Sequence, residues 1–284
     1  MELLTQLNRA MLYVEENICG DMTLAGIASA TSYSEYHFCK LFYYIADMPL
    51  SEYVRKRRLS LAAMDLQSGC GRVMDVAVKY GYDSADSFTR AFVKQHGVTP
   101  TAARNHGTAL MIFPPITFQI HIEGVQGMNW RIEQREAFEV FGIERSFKND
   151  ESGTIPSFWD EIQKDGSMAR LLEKAAGLGP MAICGHVDEK ATEFPYMICC
   201  ELKDGCDASG YKITSVPSAT WAVFREDGMK DHEDVKIPEL FRKAYSEWLP
   251  SSGYEKYPGP DMEIYGNAVS NEIYEEVWIP IIKK

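Results

Sequence analysis

Tyr36, Cys39, Lys40 and Tyr43 are spaced so that on a helix they share one side, opposite Phe38, Leu41, Phe42 and Ile45 at steps of three and four. Small polar, aromatic and basic groups on the outer side of a short helix can reach base edges by hydrogen bond or apolar contact. The run Arg55-Lys56-Arg57-Arg58 has the charge either to sit on phosphates or to form ion pairs within a helical bundle. Other chemistries lack their residues. The sequence has no Ser-His-Asp arrangement, no phosphate-cradling glycine loop and no clustered metal ligands, so no catalytic, cofactor or metal site is expected. The cysteines, Cys19, Cys39, Cys70, Cys184, Cys199, Cys200 and Cys206, are odd in number and lack CxxC spacing, which fits reduced and mostly buried thiols.

The elements that must carry these groups follow from periodicity. Leu4, Leu7, Met11, Val14 and Ile18 form the apolar stripe of a first helix that ends at Gly20. Thr23 caps a short helix, Leu24 to Ala30, and after a turn at Thr31 to Tyr33 Ser34 caps the helix bearing Lys40. A long helix spans Pro49 to Leu66. The short-helix, turn and helix pattern then recurs: Val76-Ala77, Gly81-Tyr82, Ser84, Phe88 and Phe92 follow Ile27-Ala28, Ser32-Tyr33, Ser34, Phe38 and Phe42 by 49 or 50 residues. Two short helices around a tight turn, each second helix burying one stripe and offering the other, make a helix-turn-helix, here in two copies.

The length of 284 residues predicts about two domains, and 45% hydrophobic with 25% charged residues is the composition of folded protein. Taken whole, a net charge of -12 argues against a nucleic-acid partner. Divided along the chain it does not. Residues 1–108 hold 11 basic and 11 acidic side chains, whereas 109–284 hold 18 and 30, the entire excess. Near neutrality in 1–108 predicts modest non-specific affinity for DNA and a limited salt slope. An apolar, proline-containing connector, with Pro114 and Pro115, places a linker at 109–124. No apolar run is long enough to span a bilayer, and Met1 to Gly20 carries Glu2, Glu15 and Glu16 in place of a basic signal pattern, so the expected location is the cytoplasm.

Residues 3 to 105 resemble the AraC family of transcription regulators. The second copy carries the resemblance most fully, in Asp75-Val76-Ala77, Gly81-Tyr82, Ser87-Phe88-Thr89-Arg90-Ala91-Phe92 and Gly97-Val98-Thr99-Pro100. In the first copy Asp47 stands where that family has a glycine after the recognition helix, and Met48-Pro49 brings the proline one step early. The resemblance implies two recognition helices about 34 Å apart, entering successive major-groove segments of duplex DNA. Ser84, Ser87, Thr89, Arg90 and Lys94 would read DNA from the second, with Arg90 able to pair a guanine bidentately for about 1 to 3 kcal/mol of discrimination. Tyr36, Cys39 and Lys40 would occupy the matching places in the first, reading more by shape and methyl contact because a thiol is a poor hydrogen bonder. Within this bundle one or two of Arg55 to Arg58 are expected to serve packing.

Residues 125–284 read differently. Trp130 to Ile143 is strand-rich, Ile155 to Ala176 a helix interrupted near Gly166, and Met181 to His186 and Pro195 to Leu202 a strand pair; Tyr211 to Phe224, Val235 to Leu249, Met262 to Gly266 and Ile273 to Ile281 repeat that order. Ile155-Pro156 and Ile237-Pro238 open the two helices at an offset of 82. The expected fold is therefore an all-α double helix-turn-helix followed by an α+β domain built from a duplicated β-α-β-β unit.

This half resembles the GyrI-like effector-binding domain, through Phe138-Glu139-Val140-Phe141-Gly142, Phe158-Trp159, Pro260-Asp261-Met262-Glu263-Ile264-Tyr265 and Glu276-Val277-Trp278-Ile279-Pro280-Ile281. The resemblance implies two pseudo-symmetric halves around an aromatic cleft, with Glu263 at its base. A buried carboxylate among rings suits a lipophilic cation, which relieves the cost of the buried charge and gains cation–π attraction. The lining expected is Glu263 and Tyr265 with Trp159, Tyr196, Trp221 and Trp278; the alternative is that the rings are core and Glu263 is solvated. The implied partners are double-stranded DNA, a small-molecule effector and RNA polymerase, with no membrane. Two other readings stay open: a GyrI-like hydrolase in which Glu263 activates water, and a constitutive regulator whose acidic domain binds a protein.

Overall fold

The computed structural model describes residues 2–20, 22–31, 33–69, 71–118, 127–148, 154–185, 193–227, 236–266 and 273–284. Ser32 of the first turn, Cys70, linker residues 119–124 and the predicted strand end His186 lie outside them. The chain divides into two units, Met1–Glu35 with Met48–Ile122, and Tyr36–Asp47 with Glu123–Lys284.

In the first unit, α1 (Glu2–Glu16) buries Leu7, Met11 and Val14 of the predicted stripe, with Ala10 beside them; Leu4 is half-buried, and the helix stops at Glu16, short of Gly20, with Ile18 buried beyond its end. Thr23 caps α2 (Leu24–Ser29), its hydroxyl accepting from Gly26 N at 3.0 Å. The long helix α4 (Leu50–Gln67) turns Leu59, Ala62, Ala63 and Leu66 toward α5 (Val73–Lys79) and α6 (Ala85–His96), where Val76, Ala77, Tyr80, Phe88 and Phe92 complete a core. Gly81 turns the chain between α5 and α6 at φ +82°, a left-handed conformation that favours glycine.

The basic run is spent inside this unit. Arg57 is buried and holds both Glu15 oxygens, at 2.9 and 2.6 Å, and Arg58 donates to the Ile18 carbonyl at 2.8 Å. Lys56 pairs with Glu52 at 2.8 Å. Residues 109–118 are no free connector either: Phe113 N donates to Ser60 Oγ at 2.9 Å, Ile116 N to the Tyr53 hydroxyl at 3.1 Å and Phe118 N to Asn8 Oδ1 at 2.9 Å. The polar backbone of an apolar segment is satisfied by side chains of α1 and α4, which pins it.

The second unit holds α3 (Glu35–Ala46) and an antiparallel sheet of β1 (Trp130–Arg135), β2 (Phe138–Lys148), β3 (Met181–Cys184), β4 (Glu193–Glu201), β5 (Lys212–Val216), β6 (Ala219–Asp227), β7 (Tyr254–Lys256), β8 (Asp261–Tyr265) and β9 (Tyr274–Lys283). The order is β1-β6-β9-β8-β3-β4-β2-β5, with β7 on β9. It reads symmetrically about the β8–β3 pair. The offset of 82 extends to the openings of β1 and β5, Trp130 and Lys212, so each repeat has an opening strand beyond those predicted, and the second adds β7. Trp130 to Ile143 and Tyr211 to Phe224 each turn once, and β1 and β5 cross to pair with β6 and β2 of the other repeat. Gly142 allows the β2–β4 approach: a Cβ there would stand 2.7 Å from the Cys199 Cβ.

Helices α7 (Ile155–Lys164) and α8 (Ser167–Glu173) follow β2, broken at Gly166 with φ +76° as the sequence suggests. Following β6, α9 (Ile237–Lys243) continues into a π-helical turn, Ala244–Trp248. Alternation along the strands splits the core. Phe141, Tyr196 and Cys184 join Phe158 on one face, while Val140, Met262, Trp221 and Trp278 pack on the other.

Candidate functional site

On β8 the side chains of Asp261, Glu263 and Tyr265 alternate onto one face. Glu263 is 6% exposed. Its Oε2 accepts from the Tyr196 hydroxyl at 2.6 Å and the Tyr265 hydroxyl at 3.0 Å, and Trp159 Nε1 donates to the Tyr196 oxygen at 2.8 Å. The Trp159 and Tyr265 rings meet edge to face, 4.8 Å between centroids. A strand, its neighbour but one and α7 thus converge on one carboxylate. Burial pushes the Glu263 carboxyl above its ordinary value, against the pull of the Lys40 charge and the two hydroxyls.

Two residues back, Asp261 is buried between ammoniums. Lys40 Nζ lies 2.9 Å from its Oδ2 and Lys256 Nζ 3.1 Å from its Oδ1, and the Tyr245 hydroxyl donates to Oδ2 at 2.9 Å. Burial raises the Asp261 carboxyl, but Lys256 and Lys40 outweigh it and hold the group well below the usual carboxylate range. The π-helical turn delivers Tyr245, one of the roles such turns serve at functional sites.

The helix bearing Lys40 is buried on both sides. Phe38, Leu41 and Phe42 are buried as the apolar stripe requires, and so are Tyr36, Cys39 and Lys40, at 6, 2 and 3% exposure. Tyr36 lies 4.6 Å from the Phe194 ring, Tyr44 stacks on Phe241 at 4.7 Å, and Lys40 Nζ sits 4.2 Å above the same Phe241 ring. In this conformation Tyr36 and Lys40, two of the three side chains expected on DNA, are held within the second unit, where the ammonium finds a carboxylate and a ring face, and Cys39 is buried.

In α6 the outer stripe is open. Arg90 and Lys94 are exposed, Ser87 and Thr89 half-buried, and Phe88, Phe92 and His96 face the core. Ser84 is the N-cap: its hydroxyl accepts from Ser87 N at 3.2 Å and bonds the Ser87 hydroxyl at 2.9 Å. Both serines are thus engaged in starting the helix, which leaves Arg90 and Lys94 as its free cationic reach.

Residues 128–282, more than half the chain, match the model of the GyrI-like small molecule binding domain. The chain belongs to the GyrI-like family. Residues 27–106 match a helix-turn-helix domain, which is of the AraC type found in DNA-binding transcription regulators. The HTH-type transcriptional activator AarP of Providencia stuartii is 35% identical over 98 residues, 34% of this chain and 73% of that one. The transcriptional regulator Rob of Salmonella typhimurium is 32% identical over 108 residues, and the match spans only 37% of either chain. A solved structure of SAV2435 bound to tetraphenylphosphonium is 20% identical, covering 55% of this chain and 94% of that one, with a TM-score of 0.45.

Of the six lining residues expected in the GyrI-like domain, four meet: Glu263, Tyr265, Trp159 and Tyr196. Trp221 and Trp278 do not join them. Register places Trp278 opposite Met262, one residue out of phase with Glu263, and Trp221 opposite Pro280, so both rings belong to the reverse face of the sheet. There Trp278 Nε1 donates to Glu276 at 2.8 Å and Arg131 bonds the same carboxylate at 2.9 Å. Reading the sequence alone misses Asp261, Lys256, Phe241 and Tyr245. The signal for Asp261 is its step of two from Glu263; the others come from separate elements and leave no such mark. A groove of about 510 Å³ on the reverse face, lined by Ile183, Met197, Thr214, Val216 and Pro260, contains no aromatic ring. Among the described residues no helix is long and apolar enough to cross a membrane.

Proposed function

We propose that this protein is a transcription regulator whose GyrI-like domain takes a lipophilic organic cation at Glu263, and that the bound cation controls DNA binding through α3 and α6. One observation carries the reading: a buried carboxylate whose partners are two phenol hydroxyls, enclosed by the Tyr196, Tyr265 and Trp159 side chains. Neutral donors solvate an anion without cancelling its charge, so the site favours a positive guest, and ring faces add about 0.5 to 2 kcal/mol per close cation contact. A quaternary phosphonium or ammonium with apolar substituents has the low hydration that such a site requires. On the DNA side Arg90 reads a guanine and Lys94 lies toward a phosphate. Regulation is the activity proposed, not catalysis, with RNA polymerase as the downstream partner and the cytoplasm as the setting.

The test is titration of the full chain with tetraphenylphosphonium, followed by tryptophan fluorescence. Saturable binding that Glu263→Gln weakens at least tenfold supports the reading. Turnover of an added electrophile would transfer it to the hydrolases, and a protein silent to every hydrophobic cation, with Lys40→Met equally silent, would sink it.

A further inference from the structure

Tyr36, Lys40 and Tyr44 recur every four residues and leave α3 on one side. A lysine is rarely this buried, since the ammonium loses its water and the chain its rotamers. Here the compensation consists of Asp261 at 2.9 Å and the Phe241 face at 4.2 Å. Yet Lys40 is not the sole partner of Asp261: Lys256 at 3.1 Å and the Tyr245 hydroxyl at 2.9 Å also answer its charge. Lys40 is a second ammonium on a carboxylate that has one, presented over an aromatic ring, on the face of β8 that also carries Glu263. Its charge is felt there, since it pulls the Glu263 carboxyl downward. The contact has the chemistry of an organic cation bound in the cleft, supplied by the chain itself.

We propose that Lys40 is a built-in occupant of the cation cleft, so that α3 and an organic cation exclude one another and cation binding frees the Tyr36, Cys39 and Lys40 face for the DNA major groove. The inference rests on the cation reading of the Glu263 site. Its consequences are those of a two-state equilibrium. With α3 docked in about 90 to 99% of molecules, the apparent cation affinity is about 10- to 100-fold below that of the bare cleft. Operator DNA that engages α3 must tighten cation binding by the same factor by which the cation tightens DNA binding.

Two measurements on the full chain test this. Isothermal titration gives the Kd for tetraphenylphosphonium in the wild type, Lys40→Met, Lys40→Arg and Glu263→Gln. Alkylation by N-ethylmaleimide, read by peptide mass, gives the rate at buried Cys39 against exposed Cys19 as internal reference. The expected results are about tenfold tighter binding in Lys40→Met, near wild-type binding in Lys40→Arg, and at least tenfold faster labelling of Cys39 when the wild type is saturated with the cation. Lys40→Met leaves Asp261 with Lys256 and Tyr245, and the Cys39 arm needs no variant. Cation binding that Glu263→Gln abolishes, but that leaves Cys39 as slow as before or is weakened by Lys40→Met, overturns the inference and leaves the site reading standing. Absence of binding in both wild type and Lys40→Met overturns the site reading itself.

Discussion

Helices α3 and α6 carry the same anchors and end in different surroundings. Phe38 and Phe42 in one, Phe88 and Phe92 in the other, are all at most 1% exposed. On the second stripe they part. Arg90 and Lys94 of α6 stay in water, whereas Tyr36, Cys39 and Lys40 of α3 are buried. The anchors fix the fold of a helix-turn-helix, and the second stripe decides what else the helix can bind. A stripe of phenols and a thiol with one ammonium makes α3 nearly apolar all round, and such a helix gains by burial. The stripe of α6 has two cations and no ring, and charged groups of that kind keep their water.

The largest effect that separates the two helices is expected from their cores. Phe92→Ala empties a fully buried ring position between α4, α5 and α6 and should lower stability by about 3 to 5 kcal/mol in urea denaturation. DNA binding should be lost with it, while tetraphenylphosphonium affinity stays within about twofold. Parallel loss of cation binding would break the comparison, because it would make the cleft depend on α6 as it does on α3.

Arg90→Ala comes next. It should reduce affinity for an operator recovered by selection from random duplexes about 10- to 100-fold, corresponding to about 1 to 3 kcal/mol, and affinity for unselected DNA much less. Equal losses on both would give Arg90 a phosphate role, and the salt slope would then fall by about one.

The cleft adds a pH arm. A cation needs Glu263 ionised, and burial places that ionisation above the ordinary carboxylate value, with Lys40, Tyr196 and Tyr265 acting against the shift and Asp261 with it. Cation affinity should therefore be full at high pH and fall, by up to about tenfold per pH unit, as pH drops through the raised value. The decline begins at a higher pH than a surface glutamate would give. Glu263→Gln should bind weakly with no such slope; a wild-type curve flat down to the usual carboxylate range would move the charge recognition to Asp261, which its ammoniums keep ionised.

Periodicity made most of the fold legible. The stripe of α1, the cap at Thr23, the break at Gly166 and the 82-residue offset are local or repeating signals, and each has a counterpart in the structure. That Glu263 and Tyr265 share a face was legible in the same way, since they differ by two on a strand. What failed did so for non-local reasons. Trp278 shares no face with Glu263 because the β8–β9 register sets Met262 against it, and register is not written in either strand alone. Lys40 meets Asp261 across 221 residues, a pairing that no spacing rule anticipates. The linker expected at 109–124 is bonded through Phe113, Ile116 and Phe118 to Ser60, Tyr53 and Asn8, which its apolar composition does not show.

The smallest expected effect lies where the two helices stop. Gly97 ends α6 at φ 74°, and Asp47 follows α3 at φ 53°. Both positions are left-handed, a conformation that costs most L-residues about 1 to 2 kcal/mol and that Asp tolerates better than most. A Cβ at Gly97 would meet nothing within 4 Å, so Gly97→Ala should show the backbone cost alone, about 1 kcal/mol of destabilisation. Asp47→Gly removes the same kind of strain and should stabilise, by less than about 1 kcal/mol because glycine also loosens the unfolded chain. Urea midpoints at unchanged slope would read both. The opposite sign at Asp47 would mean that its carboxylate, close enough to raise the Tyr43 phenol after burial has done so, contributes more to holding α3 than its backbone costs.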